Sequence, residues 1–383
     1  MSIKRSILKS INRELTKYPI IALTGPRQSG KTTLLKDELS DYTYISLENP
    51  DNREYAEKDT KGFLEEYDHK VILDEVQRVP KLFSYLQGIV DEKKIMGQYI
   101  LSGSQNFNLM EQITQSLAGR VALFTLYPFD NSELKDAGLL IDDINKLMTT
   151  GFYPAIYDRS INPDRYYDDY IKTYINRDVT QLINIQNQST FKRFIKICAT
   201  RAGSLINYAS LAKDTGVSHS TARNWMTILE TSYILYQLPP YYNNYSKRLT
   251  KSNKLYFYDT GVLCHLLNIR KGDLSPTNKH YGHIFENLVI SEFVKQNAHL
   301  SQYRDYYFWR SSHGREVDLL FEDNDGINVY EVKATTTISS KLFHGLEYFK
   351  ILAGDEVNEQ TLIYGGKENQ NRTNYTVTGW NSL

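Results

Sequence analysis

The sequence predicts a multidomain α/β protein whose first domain carries a phosphate-binding loop. An apolar run at residues 18–24 leads into a glycine-rich loop and then into a helical pattern, which is the order strand, loop, helix. Two later apolar runs, at residues 70–74 and 97–102, each end in acidic or small polar side chains. These ends stand where a phosphate-binding site needs its magnesium ligands and its water-activating group.

Length and composition limit the classes of protein that the chain can belong to. Its 383 residues allow two or three domains, and 41% hydrophobic residues are typical of a globular protein. Lys plus Arg and Asp plus Glu number 45 each, so any site for a polyanion must be local. Two cysteines, Cys198 and Cys264, exclude a disulfide framework and fit a reducing cytoplasm. No apolar run reaches the roughly 18 residues of a membrane span, so we expect a cytoplasmic protein without a membrane partner.

The first elements are a helix and the glycine loop. Residues 2–17 have apolar side chains at helical spacing, which predicts a docking helix, with a basic surface anchor as the alternative. The loop has the spacing GxxxxGK[ST], in which backbone amides wrap a phosphate, Lys31 neutralises the β- and γ-phosphates and the Thr32 hydroxyl binds Mg²⁺. We therefore expect ATP and Mg²⁺ as ligands. The expected nucleotide-binding residues are Gly25, Pro26, Arg27, Gln28, Ser29, Gly30, Lys31, Thr32 and Thr33.

The next two strands supply candidate catalytic groups. Asp74 and Glu75 end one strand, and we expect Asp74 to hold Mg²⁺ and Glu75 to polarise the attacking water. A pair of acids at an exposed strand end is the alternative, which the preceding phosphate loop makes weak. The following strand ends in Ser102, Ser104 and Gln105, and Ser104 is a candidate sensor of the γ-phosphate.

A helix at residues 108–117 and a strand at 121–126 complete a series that resembles an AAA+ ATPase. More narrowly, the motifs LAGR and LYPFDNSEL, at residues 117–120 and 126–134, resemble prokaryotic AAA-type ATPases with a C-terminal restriction-endonuclease-like domain. The resemblance implies a homo-oligomer such as a hexamer, in which Arg120 is an arginine finger for the next subunit. A salt bridge within the chain is an equal alternative for Arg120. The resemblance extends to residues 151–154 and 170–178, where it implies Arg177 as a second sensor.

The middle of the chain predicts a DNA-binding module. Residues 208–229 form a helix, a turn at Gly216, a Ser218 cap and a second helix, which is helix-turn-helix spacing. Two predicted strands, at 233–238 and 254–258, bracket a basic segment, which predicts a winged helix. We expect its helix and wing to contact DNA, with protein docking as the alternative. The expected DNA-binding residues are Arg223, Lys247, Arg248 and Lys251.

The last segment resembles the PD-(D/E)xK nucleases. Asp318, Glu331 and Lys333 match the D…ExK signature, and alternation along a strand places Glu331 and Lys333 on one face. The carboxylates of Asp318 and Glu331, completed by Glu286, are expected to bind Mg²⁺, and Lys333 is expected to orient the attacking water. A strand with a charged exposed face is the alternative, and the same framework also occurs in proteins that bind DNA without cutting it.

Together these patterns predict an α/β chain with a P-loop AAA+ ATPase core (1–133), a helical lid (134–190), a winged-helix module (191–275) and a PD-(D/E)xK nuclease-like domain (276–383). The expected function is that of an ATP-dependent, DNA-binding ATPase that remodels or translocates DNA, including branched DNA, as an oligomer. The alternative is a nucleotide-gated switch that controls a partner protein or a C-terminal nuclease effector.

Overall fold

The computed structural model describes residues 3–104, 106–174, 188–242, 251–311 and 314–383. Gln105, Arg177, Lys247 and Arg248, for which the sequence predicts roles, lie outside the described residues. The chain forms two compact units. The first unit contains residues 1–129, 231–233 and 298–302, and the second contains residues 130–230, 234–297 and 303–383.

The first unit alternates helices and strands along the chain. Its elements are α1 (Ile7–Glu14), β1 (Ile20–Thr24), α2 (Lys31–Glu38), β2 (Thr43–Ser46), α3 (Pro50–Lys58), α4 (Thr60–Glu66), β3 (Val71–Asp74), α5 (Lys81–Lys93), β4 (Tyr99–Ser102), α6 (Asn106–Ser116) and β5 (Val121–Thr125).

These five strands form one parallel sheet in the order β2-β3-β4-β1-β5. Every residue of β1, β3 and β4 is buried, as expected for parallel strands covered on both faces. Along β1, Ile20 and Ala22 enter one hydrophobic core while Ile21 and Leu23 enter the other. Because the strands are parallel, the residues that follow β1, β3 and β4 meet at one edge of the sheet.

The remaining chain begins with helices and ends in a second sheet. Its elements are α7 (Asn131–Asp136), α8 (Ile144–Thr150), α9 (Pro154–Asp158), α10 (Pro163–Tyr170), α11 (Gln188–Thr200), α12 (Tyr208–Thr215), α13 (His219–Thr231), β6 (Leu235–Leu238), β7 (Lys254–Phe257), α14 (Thr260–Leu266), α15 (Tyr281–Leu300), β8 (Tyr307–Arg310), β9 (Glu316–Asp323), β10 (Gly326–Lys333), α16 (His344–Ala353), β11 (Val357–Tyr364), β12 (Gln370–Asn371) and β13 (Thr376–Gly379). None of the helices within the described ranges is long and apolar enough to cross a membrane.

A buried carboxylate connects the helices around α14. Asp259 caps α14 by accepting a hydrogen bond from the Val262 amide at 3.0 Å. It also accepts bonds from the Phe152 amide at 2.7 Å and from the Tyr167 hydroxyl at 2.8 Å. Burial raises the pKa of Asp259, although these donors oppose the shift. One side chain therefore holds three parts of the helical region together.

Trp225 of α13 packs against α11, where its ring meets Phe191 and Phe194 edge-on at centroid distances of 5.2 and 5.4 Å, and α11 also packs against α12. Gly216 ends α12 in the left-handed conformation, with φ of 81°. The Ser218 hydroxyl then accepts a hydrogen bond from the Thr221 amide at 3.0 Å and caps α13. Strands β6 and β7 follow as an antiparallel pair.

The second sheet has the order β12-β13-β11-β10-β9-β8. Strands β9 and β10 form an antiparallel hairpin, and α16 then returns the chain so that β11 lies parallel to β10. Helix α16 packs on β9, β10 and β11 through Leu346 and Phe349, which are both fully buried. The hairpin thereby places Asp318 of β9 beside Glu331 of β10.

Candidate functional site

The loop after β1 has the backbone that a phosphate requires. A Cβ atom at Gly25 would lie 2.2 Å from the carbonyl oxygen of Leu126, so only glycine fits there. Gly30 caps α2 in the left-handed conformation, with φ of 97°. Within the described part of the chain, the hydroxyl of Ser29 is buried and has no hydrogen-bond partner. The loop thus holds an unsatisfied polar group at the N-terminus of a helix, where anions bind.

Lys31 is buried, and its ammonium donates hydrogen bonds of 2.9 Å to the carbonyl oxygens of Gly25 and Pro26. Burial lowers the pKa of Lys31 to about 8, although the carboxylates of Glu75 and Asp74 act in the opposite direction. The ammonium therefore faces the interior of the loop, where a bound phosphate would supply the counter-charge that the carbonyls lack.

The carboxylate of Asp74 accepts a hydrogen bond from the Thr32 hydroxyl at 3.2 Å. The hydroxyls of Tyr44 and Ser102 also donate to Asp74, one to each carboxylate oxygen. A hydroxyl beside a buried carboxylate supplies the oxygen ligands that Mg²⁺ prefers. The residues present at this edge of the sheet fit a magnesium ion held by Thr32 and Asp74.

Glu75 has an unusual backbone, because its φ of 57° places a non-glycine residue in the left-handed region. Its carboxylate accepts hydrogen bonds from the Gln77 side chain and from the hydroxyl of Ser104 at 3.2 Å. Strained backbone conformations concentrate at functional sites, where the surrounding contacts maintain them. The backbone conformation of Glu75 thus sets the direction of its side chain, and a hydrogen bond from Ser104 holds its carboxylate in place. Ser104 is the residue that the sequence predicts as a sensor.

Two contributors to this site were missed from the sequence. Tyr44 binds Asp74 from the neighbouring strand β2, and no local pattern marks it. Arg5 is buried, and its guanidinium donates to the carbonyl oxygens of Ser29 at 2.8 Å and of Tyr127 at 2.6 Å. The helical spacing of residues 2–17 groups Arg5 with the polar side chains of the predicted helix, whereas the structure places it before α1 and buries it. Its contact with Ser29 fixes the glycine loop from outside.

Arg120 lies at the other end of the sheet from the glycine loop. It precedes β5, and Val121 pairs with Ile20, the first residue of β1. Its guanidinium makes a two-pronged ion pair with Asp91 at 2.6 and 2.7 Å. Arg120 is therefore outside its own chain's nucleotide site, and the salt bridge within the chain is formed in this structure.

The expected DNA-contacting residues that the structure describes are exposed. Arg223 lies on α13 with its guanidinium 4.5 Å from the ring centre of Tyr208, and Lys251 precedes β7. The exposed positions at the start and along the outer face of α13 carry no acid. They are Ser218, His219, Ser220, Arg223, Asn224 and Thr227.

Asp318, Glu331 and Lys333 meet in the second sheet. The Lys333 ammonium lies 3.3 Å from Asp318 Oδ2 and 2.5 Å from Glu331 Oε1. Burial opposes ionisation of Asp318, but the charges of Lys333 and Lys254 outweigh it and lower the pKa of Asp318. Burial and the charge of Asp318 raise the pKa of Glu331 to about 8. The structure thus brings the three residues of the sequence signature together.

A residue that the sequence did not indicate also enters this cluster. The ammonium of Lys254 lies 2.9 Å from Glu286 Oε1 and 3.8 Å from Asp318 Oδ1, and it forms an ion pair with Glu316. Burial disfavours the charged amine, but Glu286 and the other acids around it raise the pKa of Lys254 well above its ordinary value.

The magnesium shell expected from Glu286, Asp318 and Glu331 is not assembled. Among the described residues, these three carboxylates do not approach within 4.8 Å of one another as one set of ligands. Glu286 Oε1 instead accepts two hydrogen bonds, one of 2.6 Å from the Tyr256 hydroxyl and one of 2.9 Å from the Lys254 ammonium. The residues present therefore do not fit a divalent ion at this place, because an ammonium stands among the acids.

The parallel sheet, its glycine loop and its acidic strand end fit the fold of a P-loop ATPase domain of the AAA type. A family model described as an AAA domain matches residues 17–135. Two further models, described as domains of unknown function DUF8612 and DUF4143, match residues 141–273 and 281–383.

The chain is also 32% identical over 341 residues to "Uncharacterized protein Rv2008c" of Mycobacterium tuberculosis, over 88% of this chain and 75% of that protein. The chain belongs to the family of that mycobacterial protein.

Solved structures similar to this chain include the following two. The Walker-type ATPase paby2304 of Pyrococcus abyssi has 15% sequence identity and a TM-score of 0.45, over 68% of this chain and 94% of that one. The RuvB Holliday junction branch migration motor of Thermotoga maritima has 19% identity and a TM-score of 0.31, over 61% of this chain and 89% of that one.

Proposed function

We propose that this chain is an ATP-hydrolysing, DNA-binding ATPase that remodels or translocates DNA as an oligomer. One observation carries the enzymatic part of the proposal: Lys31, Thr32, Asp74 and Glu75 converge at the edge of the sheet where the glycine loop opens. Their contacts join the phosphate-binding, metal-binding and water-activating groups that hydrolysis of a nucleotide needs.

Each residue has a separate task in this proposal. Lys31 binds the phosphate charge, and Thr32 and Asp74 hold Mg²⁺. When bound, Mg²⁺ neutralises charge that develops on the phosphates. Glu75 takes a proton from the attacking water, and Ser104 keeps its carboxylate in position through the hydrogen bond of 3.2 Å. Arg5 positions the loop through the Ser29 carbonyl.

The DNA-binding part rests on the helices α11 to α13 and the strand pair β6–β7, which we interpret as a winged helix. The outer face of α13 offers Arg223 and small hydrogen-bonding side chains without an acid. Such a face suits a phosphate backbone, because each Lys or Arg that reaches a phosphate releases bound counterions. In the sequence, Lys247, Arg248 and Lys251 add basic residues to the segment between β6 and β7. We retain the nuclease-like interpretation of the last domain as a fold that contacts DNA.

A second candidate function, the nucleotide-gated switch, is favoured by Arg120. Its ion pair with Asp91 uses both prongs of the guanidinium within one chain. An arginine finger would have to leave this pair to reach a neighbouring subunit. A switch that works without assembly needs no such exchange.

Turnover measured with and without DNA tests the proposal. We expect ATP hydrolysis that rises with single-stranded, duplex or four-way-junction DNA. Lys31→Ala should lose nucleotide binding, and Glu75→Gln should bind ATP without hydrolysing it. Lys61→Ala, which removes an exposed lysine of α4, is the matched control and should behave as the wild type.

The outcomes separate the two candidates. Slow turnover that ignores all three DNA forms would support the switch and refute the motor. Normal turnover of both Lys31→Ala and Glu75→Gln would refute the assignment of the ATP site itself.

A further inference from the structure

We propose that Lys254 is the resident cation of the C-terminal carboxylate cluster and stands where a metal-dependent nuclease would hold its divalent ion. The cluster then joins β7 to the second sheet without metal, and this site does not cleave DNA. The inference concerns a different site from the proposed ATP site and does not rest on it.

The position of Lys254 carries the proposal. Its side chain is 3% exposed although the residue begins a strand, and it points into a group of acids. Its ammonium has Glu286 at 2.9 Å, Glu316 in an ion pair and Asp318 at 3.8 Å. Three carboxylates from two different elements, α15 and β9, thus surround one positive charge. A divalent ion in such a site would be surrounded in the same way.

The second lysine leaves little for a metal to bind. The Lys333 ammonium forms ion pairs with Asp318 Oδ2 and Glu331 Oε1. Asp318 and Glu331 are the two acids that the nuclease signature assigns to the metal ion. Asp318 Oδ2 also accepts a hydrogen bond of 2.8 Å from the Val332 amide. With Lys254 beside Oδ1, both oxygens of Asp318 already face positive charge or a donor.

One carboxylate oxygen of the cluster accepts no hydrogen bond from the described residues, and the backbone of α16 lies against it. Glu331 Oε2 is buried and has no hydrogen-bond partner within the described ranges. A Cβ atom at Gly345, in α16, would lie 2.6 Å from this oxygen. A hard cation such as Mg²⁺ requires about six oxygen ligands, including water. The close approach of α16 takes up the side from which those waters would come.

Entry of a metal would also have an electrostatic cost. A divalent ion at this place would repel the ammonium of Lys254 and separate it from its acids. A buried charge that loses its partners is strongly unfavourable. Removal of Lys254, in contrast, should leave its three acids without a counter-charge and create a binding site for a divalent ion.

Titration of Mn²⁺ into the nucleotide-free, full-length protein, followed by electron paramagnetic resonance, tests the proposal. We expect the wild type and Asp318→Asn to bind Mn²⁺ equally weakly. Lys254→Met, which keeps the unbranched side chain one atom shorter and removes its charge, should gain one site at least tenfold tighter. The double variant Lys254→Met/Asp318→Asn should lose that site. Lys367→Met, which removes an exposed ion pair with Asp142, controls for the loss of one positive charge.

Two results would overturn the proposal. The first is a Mn²⁺ site in the wild type that Asp318→Asn abolishes, with nicking of supercoiled DNA that is lost in the same variant. The second is a folded Lys254→Met protein, shown by circular dichroism, that gains no site. If Lys254→Met does not fold, the comparison of the wild type with Asp318→Asn decides alone, because neither protein lacks the lysine.

Discussion

Raising the pH should weaken ATP binding through Lys31. In the free protein, burial holds the pKa of Lys31 at about 8, below its ordinary value of 10.5. Phosphate charge beside the ammonium stabilises its protonated form, so the pKa of Lys31 rises when ATP binds. Above pH 8, binding must therefore take up a proton, and the dissociation constant should increase with pH. Below pH 8, this residue is already protonated and adds no dependence.

The size of the effect follows from that pKa. At pH 7 about nine-tenths of the free protein carries a charged Lys31, and at pH 9 about one-tenth does. Between these two values, the dissociation constant for Mg-ATP should rise about tenfold, or about 1.4 kcal/mol. Its logarithm should approach a slope of about one per pH unit above pH 8.

Isothermal titration calorimetry from pH 7 to 9.5, in buffers of different ionisation enthalpy, measures both the affinity and the proton uptake. Lys31→Arg is the control, because a guanidinium stays charged throughout this range. It should bind Mg-ATP with a flat pH profile, whatever its absolute affinity. A flat profile for the wild type, or the same decline in Lys31→Arg, would show that Lys31 does not carry the effect.

Three further predictions concern other parts of the chain. Asp259→Asn should lower the free energy of unfolding by about 2–4 kcal/mol in urea, because an amide cannot accept from all three donors. Asp143→Asn, at the exposed cap of α8, should change it by less than about 0.5 kcal/mol, and equal losses would contradict this reasoning. Mixing Arg120→Ala with Glu75→Gln subunits should change turnover in a ratio-dependent way, and strictly additive activity would exclude a role between subunits. Arg223→Ala should reduce the salt slope of DNA binding by about one, and an unchanged slope would indicate that α13 docks a protein.

The residues of the candidate ATP site could be identified from the sequence because their signals are local. The glycine loop, the Asp74–Glu75 strand end and the Ser104 strand are each contiguous, and a parallel sheet brings such strand ends to one edge. Tyr44 could not be predicted in the same way. Its hydroxyl reaches Asp74 only because β2 pairs with β3, and a strand order cannot be derived from spacing alone.

Arg120 shows a second limit of prediction from the sequence, which left two alternatives for this residue open. Its partner Asp91 is 29 residues away on α5, and no pattern in the sequence connects the two. Lys254 shows a third. It precedes Leu, Tyr and Phe, so it has the pattern of a polar residue at the start of a buried strand. Its first partner, Glu286, is 32 residues further along the chain. Burial of all four positions of its strand marks this lysine as unusual, but that burial becomes known only with the structure.

The position of Lys254 along the sequence affects where the chain can be cut into fragments. The family model for the last segment begins at residue 281, whereas Lys254 lies within the model that covers residues 141–273. A fragment cut between these two would keep Glu286, Glu316 and Asp318 and lose the lysine that pairs with them. Such a fragment could capture metal ions from its buffer, and any nuclease activity found in it would not be a property of the intact protein. Boundaries drawn from sequence families would here separate a site from its own counter-ion.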